Sequence, residues 1–142
     1  MKAKGLVLLD VSNGSRVAGF AALPMNGIVN TVARSGSRLF VGGTFTQIGG
    51  QARGGIASTG AATGVVDSFM TSTVTVNHNW TPTNGGAKAG VGVSKIDITP
   101  DGGSLVAIGN FTFVDGLPRD QVAMWHLGAS ADLHTDWQTH RY

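Results

Sequence analysis

The feature that most constrains this sequence is an internal repeat. When Val32 is aligned with Ile98, positions 32–57 lie on positions 98–123 without a gap. We call this alignment the main offset. Eight of the aligned positions are identical, and six of them are glycines or apolar residues, the types expected in turns and in a core. A chain built from such copies is expected to form one structural unit per copy, with the units covering each other. The identical pairs are Gly36/Gly102, Leu39/Leu105, Gly43/Gly109, Phe45/Phe111, Thr46/Thr112, Gly50/Gly116, Arg53/Arg119 and Ala57/Ala123.

Aromatic residues mark a comparable period along the chain. Phe20, Trp80 and Trp137 each end a similar stretch, and the two intervals between them differ in length by only three positions. Residues 5–14 also resemble residues 55–64, since both close on small and polar residues before a glycine. The division that follows is the tail of a preceding unit over residues 1–23, one full unit over residues 24–82 and a second unit over residues 83–142.

Turn residues divide each unit into short strands. Glycine accepts the positive φ that tight hairpin turns require, and Asp before Gly is a usual partner. Three turn signals in each unit predict a four-stranded antiparallel meander. The signals lie near Gly36, Gly50 and Gly64 in the first copy and near Gly102, Gly116 and, more weakly, Gly128 in the second. The predicted strands are residues 28–34, 38–44, 54–59 and 65–70 in the first unit and 92–99, 104–110, 120–127 and 131–137 in the second.

Two of the predicted strands are apolar on both faces. Residues 105–108 read Leu-Val-Ala-Ile, and residues 39–41 read Leu-Phe-Val. Such strands must be covered on both sides, which stacked sheets achieve and a one-sided sheet does not. Composition agrees with strands rather than helices, because the chain has no Glu and four Lys but 22 Gly and 14 Thr. The predicted fold class is all-β.

Charge and cysteine content exclude several classes of function. The formal net charge is +2 and the Lys and Arg residues are scattered singly, whereas a nucleic-acid site needs them clustered. The absence of cysteine excludes a disulfide framework, a thiolate metal site and a cysteine nucleophile. The apolar run of residues 5–9 is shorter than the ~7–15 residues of a signal-peptide core. No run approaches membrane-spanning length, so membrane insertion is not expected.

The best-conserved part of the internal repeat carries a family resemblance. Residues 39–53, LFVGGTFTQIGGQAR, resemble the LYVGGxFTxVNGxxR core of the delta-60-type β-propeller repeats of secreted bacterial proteins, many of them actinobacterial. Residues 60–64, GAATG, are similar to that family's DAATG turn, and residues 80–82 are similar to its W-x-P linker. In the second copy, residues 99–102 are similar to its SPDG turn, and residues 109–112 keep its GxFT motif. The resemblance implies a propeller from an extracellular or cell-surface protein.

The chain is short for a closed propeller. Complete propellers have about 4–8 four-stranded blades, and this sequence supplies about two and a half. The expected architecture is therefore a partial propeller with open blade faces and strand edges, which invite association. The expected partners are further copies of the chain or missing blades of the same protein, and no nucleic acid is expected.

The sequence carries no catalytic signature. It has no recognisable carboxylate pair, no Gly-x-Ser-x-Gly elbow and no phosphate-binding loop, so neither enzyme activity nor a cofactor is expected. The function expected is a non-catalytic scaffold or binding module, with a glycan or a protein as the ligand. The alternatives are a self-assembling structural protein that uses its open blade edges and a fragment of a glycan-processing propeller enzyme.

Four residues are candidates for a binding role. Arg53 and Arg119 recur at one repeat position, where they either contact an anion or bond the carbonyls of a neighbouring strand. Trp80 and Trp137 either stack on a sugar ring or cap the core between units. Because both pairs follow the repeat, a structural role is the simpler interpretation of each.

Two further features have a structural and a functional interpretation. Phe45 and Phe111 lie between a two-sided strand and a hairpin, which predicts core positions rather than an aromatic platform for sugars. Residues 70–79 lengthen the exit of the first unit by about nine residues and predict a longer hairpin. Insertions of this kind often carry binding sites, so this segment is the preferred place for a function.

Histidine and aspartate residues cluster near the carboxyl end. His134, Asp136 and His140 have even spacings, so a continuous strand would place them on one face, with His126 and Asp132 nearby. These side chains can ligate a divalent metal, but the pattern matches no known metal signature. A polar, exposed end strand is the simpler interpretation, and no metal site is expected. The acidic turn residues also lack the Asp-x-Asp-x-Asp-Gly pattern of a calcium loop.

Overall fold

The chain folds into short antiparallel strands. The computed structural model describes residues 5–21, 23–79, 83 and 89–138, and over these ranges the protein is all-β, as predicted. The described ranges contain no helix of the length and apolarity needed to cross a membrane. The strands are β1 (Gly5–Leu6), β2 (Leu23–Pro24), β3 (Val29–Ser35), β4 (Arg38–Gly43), β5 (Gln47–Ile48), β6 (Gln51–Ala52), β7 (Ile56–Gly60), β8 (Val74–Thr75), β9 (Gly92–Ile98), β10 (Ser104–Asn110), β11 (Phe113–Val114), β12 (Leu117–Pro118), β13 (Val122–Leu127) and β14 (Ala131–Leu133).

The largest sheet, the second sheet, lies in the second half of the chain. Its order is β14-β13-β10-β9, a four-stranded antiparallel meander that matches the prediction. Leu105 of β10 lies opposite Ile98 of β9 and Trp125 of β13. Since side chains alternate along a strand, Leu105, Ala107, Ala123 and Trp125 share one face, and all four are fully buried.

The first sheet has the order β3-β4-β7 and is one strand short of the prediction. The predicted strand over residues 65–70 is wrong, since within the described chain only a bridge between Thr59 and Val66 forms beside β7. The chain then turns towards the second sheet, where the Phe69 carbonyl accepts a hydrogen bond from the Ala131 amide at 2.9 Å.

Asp67 holds this turn through its side chain. Its carboxylate accepts hydrogen bonds from the Ser58 hydroxyl and, at 3.0 Å, from the Phe69 amide, and it pairs with Arg38 Nε at 2.9 Å. Ser58 Oγ in turn accepts a hydrogen bond from the Met70 amide at 2.8 Å. Two amides of the predicted fourth strand are therefore bonded to side chains, which explains why the ladder stops.

The contacts of Asp67 make stability depend on pH. Partial burial by itself raises the pKa of Asp67, but hydrogen bonds from Ser58, Arg38 and Phe69 outweigh it and hold the pKa below its ordinary value of 3.8. A carboxyl group with a lowered folded-state pKa stabilises the fold above its unfolded-state pKa. This stabilisation is lost as the pH falls through the folded-state pKa.

We expect Asp67→Asn to lower the free energy of unfolding by about 1–3 kcal/mol at neutral pH, because it removes a charged acceptor from three donors. The difference between parent and variant should shrink as the pH is lowered from about 7 to about 3, because the carboxyl of the unfolded parent takes up a proton at a higher pH than that of the folded parent. Urea denaturation of both proteins across this range measures the effect. A difference that stays constant with pH would show that the ionised carboxylate is not the stabilising species.

Each long sheet carries a short hairpin that the sequence analysis did not predict. Strands β5 and β6 turn at Gly49 and Gly50, and strands β11 and β12 turn at Asp115 and Gly116. All four turn residues have positive φ, at 58°, 77°, 51° and 80°, as a type I′ turn requires. These pairs were expected to join the second and third strands directly. They lie instead at the tips of hairpins that project from between those strands.

The second hairpin is extended to a small three-stranded sheet by β8, in the order β12-β11-β8. Val74 of β8 lies opposite Val114 of β11, and Met25 makes the matching bridge to Ile48 at the first hairpin. The longer hairpin expected over residues 70–79 is therefore wrong, because this segment supplies an edge strand to a hairpin of the following unit.

Each long sheet contains a backbone hydrogen bond that recurs in the other sheet at the position given by the main offset. The Gly43 amide donates to the Gly55 carbonyl, and the Gly109 amide donates to the Gln121 carbonyl, both at 2.9 Å. Gln121 has a φ of 63°, close to the 77° of Gly55. Gln121 therefore adopts the left-handed conformation that a glycine adopts in the first sheet.

The edge strands β3 and β9 do not follow the main offset. Val32 of β3 lies opposite Val41, whereas the residue opposite Ala107 is Ile96 of β9. Since Val41 corresponds to Ala107, Val32 matches Ile96 in the structure rather than Ile98, with which the ungapped alignment pairs it. The cause is the connection before β10. Six residues separate the facing pair Ile98 and Leu105, whereas four separate the equivalent pair Arg34 and Leu39.

The two long sheets stack face to face. Phe40 and Ile56 of the first sheet are buried with the inner face of the second sheet in one cluster, the second core cluster. Its members are Phe40, Ile56, Met70, Val74, Val93, Leu105, Ala107, Phe111, Val114, Ala123 and Trp125. Val41 and Ala57, which point to the opposite side of the first sheet, belong to the first core cluster. Its members are Leu23, Val41, Phe45, Ile48 and Ala57.

The edge strands β3 and β9 contact each other at this stacked interface. Asn30 Nδ2 donates to the Val93 carbonyl at 2.9 Å, and Thr31 Oγ1 accepts from the Ile96 amide at 3.3 Å. Polar side chains of the first sheet therefore pair with backbone groups at the edge of the second sheet.

The amino-terminal segment, residues 5–17, repeats part of the first sheet when Gly5 is aligned with Gly55. We call this alignment the amino-terminal offset. The bridge between Leu9 and Arg16 matches the one between Thr59 and Val66. Leu6 packs against the first core cluster, so this segment covers the side of the first sheet that faces away from the second sheet.

Candidate functional site

The two repeated arginines make matching contacts. Each guanidinium donates to the carbonyl of the residue before it and to one carbonyl beyond the third strand of its sheet. The second acceptor is Asp67 for Arg53, at 3.1 Å, and His134 for Arg119, at 2.7 Å. Bonds to carbonyl groups are the contacts expected if the two arginines have a structural role.

The accepting carbonyls lie where each sheet stops pairing. The Asp67 amide donates to the Ser58 carbonyl at 3.0 Å, and the His134 amide donates to the Met124 carbonyl at 2.9 Å. The carbonyls of Asp67 and His134 then accept hydrogen bonds from the arginines rather than from a neighbouring strand. Arg119 is only 2 % exposed, whereas its counterpart in the first sheet is half-buried. A ligand-binding role for either arginine stays a prediction.

The tryptophans occupy different environments. Trp137 is half-buried in the stretch after β14, and Trp80 lies outside the described residues. Trp125, which the sequence analysis did not single out, is fully buried, and its Nε1 donates to Ser72 Oγ at 2.8 Å. Its alternation with Ala123 in a predicted strand was the available signal for a core position.

Phe45 and Phe111 are core residues, as predicted. Phe45 is 1 % exposed and belongs to the first core cluster, and Phe111 is fully buried in the second. Their carbonyls accept matching hydrogen bonds, from Gly55 at 2.9 Å and from Gln121 at 3.0 Å. The rings are therefore not available as an exposed platform for a sugar.

The histidine and aspartate cluster is only partly brought together. Strand β14 ends at Leu133, so the predicted strand over residues 131–137 is too long, and strand alternation does not relate His134 to Asp136. Their Nδ1 and Oδ1 atoms are 3.7 Å apart, and the rings of His126 and His134 meet edge to face at 6.3 Å. His140 lies outside the described residues. Within the part that is described, no three His, Cys, Asp or Glu side chains are placed to hold a metal ion.

Two acidic turn residues have identifiable structural contacts. Asp101 Oδ1 accepts from the Thr99 hydroxyl at 2.6 Å and from the Gly103 amide at 2.9 Å, and these bonds lower the pKa of Asp101. Asp115 Oδ1 accepts from the Thr73 amide at 2.8 Å, which ties the second hairpin to the strand beside it. Both carboxylates hold turns in place.

A mainly apolar cleft of about 410 Å³ lies between the first hairpin and β8. Phe45, Val74 and Val91 line it, with Arg53 among the lining residues. Val76, also in the lining, has a φ of 59°, a conformation that a β-branched residue rarely adopts. The cleft has room for an apolar group, with the cationic residue Arg53 in its wall.

A second cleft, of about 370 Å³, is lined by side-chain amides at one end of the second sheet. Asn110 Oδ1 accepts from the amides of His78 and Asn79, both at 3.0 Å, and its Nδ2 donates to the Gly90 carbonyl at 3.1 Å. Gln121 Nε2 donates to Asn79 Oδ1 at 3.1 Å. These bonds fix the amides to one another and to the backbone.

Four of the side chains singled out from the sequence have a clear structural role. Phe45 and Phe111 pack in the core, and Arg53 and Arg119 bond carbonyls at the outer edge of each sheet. Comparison of the chain with family models, with curated proteins and with solved structures finds no match.

Proposed function

We propose that this chain is a non-catalytic scaffold module, a partial β-propeller of about two and a half blades. The observation that carries the proposal is the stacking of two antiparallel sheets through apolar faces, with the edge strands β3 and β9 in contact. Propeller blades are four-stranded sheets arranged radially, so their first strands meet near the axis. The amino-terminal segment corresponds in this proposal to the outer half of a preceding blade.

The sequence resemblance supports the same proposal and adds a location. Residues 39–53 resemble the core of the delta-60-type propeller repeats, which occur in secreted bacterial proteins. We therefore assign the chain to an extracellular or cell-surface protein. The conserved positions of that motif include Phe45, which fills a core, and Arg53, which bonds the backbone, so the motif is explained by the fold.

A scaffold of this kind depends on the two sheets behaving as one body. Native-state hydrogen exchange tests this, because it reports the free energy of opening for each amide. We expect amides in the middle of β4 and β10 to exchange through the same global opening. Amides of the short edge strands β1 and β14 should exchange by local fraying and serve as the internal comparison.

Exchange of β4 at a clearly lower free energy of opening than β10 would contradict the proposal. It would mean that the first sheet can open while the second stays folded, as two independently folded units would allow.

A further inference from the structure

The second sheet has an apolar face turned away from the first sheet. Val106 and Ile108 of β10 lie opposite Met124 and Val122 of β13, so the four side chains share this outer face. Ile108 is 45 % exposed and the other three are half-buried. The outer face thus carries a row of apolar side chains on β10 and β13 beside the exposed Lys95 and Asp97 of β9, and no sheet covers it among the described residues.

The corresponding face of the first sheet is covered. At the main offset, Val106 and Ile108 correspond to Phe40 and Gly42, and Val122 corresponds to Ile56. Phe40 and Ile56 are buried against the second sheet. A Cβ added at Gly42 would lie 2.7 Å from Val93 and 2.9 Å from Ile96, both on β9. The face that is open in the second sheet is therefore a sheet-to-sheet interface in the first.

The amino-terminal segment has the opposite open face. Its residues alternate, with Leu6 packed on the first core cluster and Val7 and Leu9 at 49 % and 52 % exposure. At the amino-terminal offset, Val7 and Leu9 correspond to Ala57 and Thr59, which are fully buried. In the first sheet, the face with Ala57 is the one covered by Leu6. The amino-terminal face, Val7 and Leu9, is therefore the other half of the same kind of interface.

We propose that the outer face of one molecule packs on the amino-terminal face of a second copy of this chain. Each half of the contact already exists inside the molecule with its partner in place. Ile56, the counterpart of Val122, is buried against the second sheet, and Ala57, the counterpart of Val7, is buried in the first core cluster, against which Leu6 packs. The inference rests on the proposed scaffold, since it extends the same stacking between molecules. Because the two faces differ, the contact is head-to-tail and produces either a closed ring or an open chain.

The test uses one charged substitution on each face, Leu9→Asp and Ile108→Asp, both at half-exposed positions. Sedimentation velocity of the parent should show dimers or larger species, and each variant alone should be monomeric. An equimolar mixture should form 1:1 dimers and nothing larger, because one intact outer face can meet one intact amino-terminal face. Val11→Asp is the matched control, since Val11 is fully exposed in the turn beyond Leu9 and should assemble as the parent does.

Unfolding of each variant in urea shows that it is folded, and Val7→Lys and Met124→Lys replace a variant that is not. A parent that is monomeric overturns the inference, as does a mixture of the two variants that stays monomeric. Assembly of Leu9→Asp alone also overturns it, because this would indicate a contact between two identical faces. A monomeric parent whose two sheets still exchange as one body leaves the proposed scaffold standing, whereas separately exchanging sheets remove the scaffold itself.

Discussion

Phe111→Ala is expected to lower the free energy of unfolding by about 3–5 kcal/mol. Phe111 follows β10 directly, is fully buried and belongs to the cluster that both long sheets share. Truncation removes a buried ring and leaves a cavity, which the surrounding strands can fill only by moving from their hydrogen-bonded positions. Urea denaturation followed by tryptophan fluorescence, to which Trp125 of the same cluster contributes, measures the loss.

Phe113 provides the matched control for this substitution. It lies two residues further along, in β11, and is only half-buried, so Phe113→Ala should cost markedly less than Phe111→Ala. Phe45→Ala should cost as much as Phe111→Ala, because Phe45 occupies the matching position in the first core cluster. Equal midpoints for Phe111→Ala and the parent would show that this ring does not fill the core.

The all-β fold and the main strands could be predicted from the sequence, because their determinants are local. Apolar runs such as residues 105–108 need two covered faces, and glycines with positive φ, among them Gly36 and Gly102, mark where the chain reverses. In the second and third strands of the two sheets, residues related by the main offset occupy equivalent positions in the structure. The main offset does not hold for the first strands, since the turn before β10 gained two residues without any change in pattern on either side.

The elements that were missed depend on residues distant in sequence. Strand β8 has only two residues, and it forms because β11 of the following unit pairs with it. No local sequence pattern predicts a strand of this kind. The fourth strand of the first sheet was predicted but is lost to side chains, since Asp67 and Ser58 take the amides that would extend it. Competition of this kind between side chains and a ladder is visible only once the strands are in place.

For the candidate arginines, too, one part of the outcome was predictable from the sequence and another part was not. Their recurrence at one repeat position indicated a structural role, and carbonyl acceptors were among the expected partners. Which carbonyls they bond could not be read from the sequence, because Asp67 and His134 fall inside the predicted fourth strands. The first of these strands, residues 65–70, does not form, and the second ends at Leu133. The outer and amino-terminal faces were likewise foreseeable only as open faces in general, because proposing a contact between them requires knowing which face of the first sheet each neighbouring segment covers.

Gly92→Ala is expected to lower the free energy of unfolding by about 3 kcal/mol or more, at or above the upper end of the usual cost of overpacking. Gly92 begins β9, and its backbone lies against the end of β4 in the first sheet. A Cβ at this position would overlap the carbonyl oxygen of Gly43 and lie 2.8 Å from Thr44 Cα. Both are backbone atoms, at the end of β4 and in the residue after it, so no side chain can rotate away, and one sheet must move relative to the other.

Gly90→Ala is the matched substitution two residues earlier. Its added Cβ would lie 3.4 Å from the Thr44 methyl group, an ordinary contact, and Gly90 is exposed. We expect this variant to be as stable as the parent or slightly more stable, because alanine restricts the unfolded chain more than glycine does. Urea denaturation of both variants separates the effect of sheet contact from that of losing a glycine. If Gly92→Ala were as stable as Gly90→Ala, β9 would not lie against the backbone of the first sheet, and the stacking on which the proposed scaffold depends would be wrong.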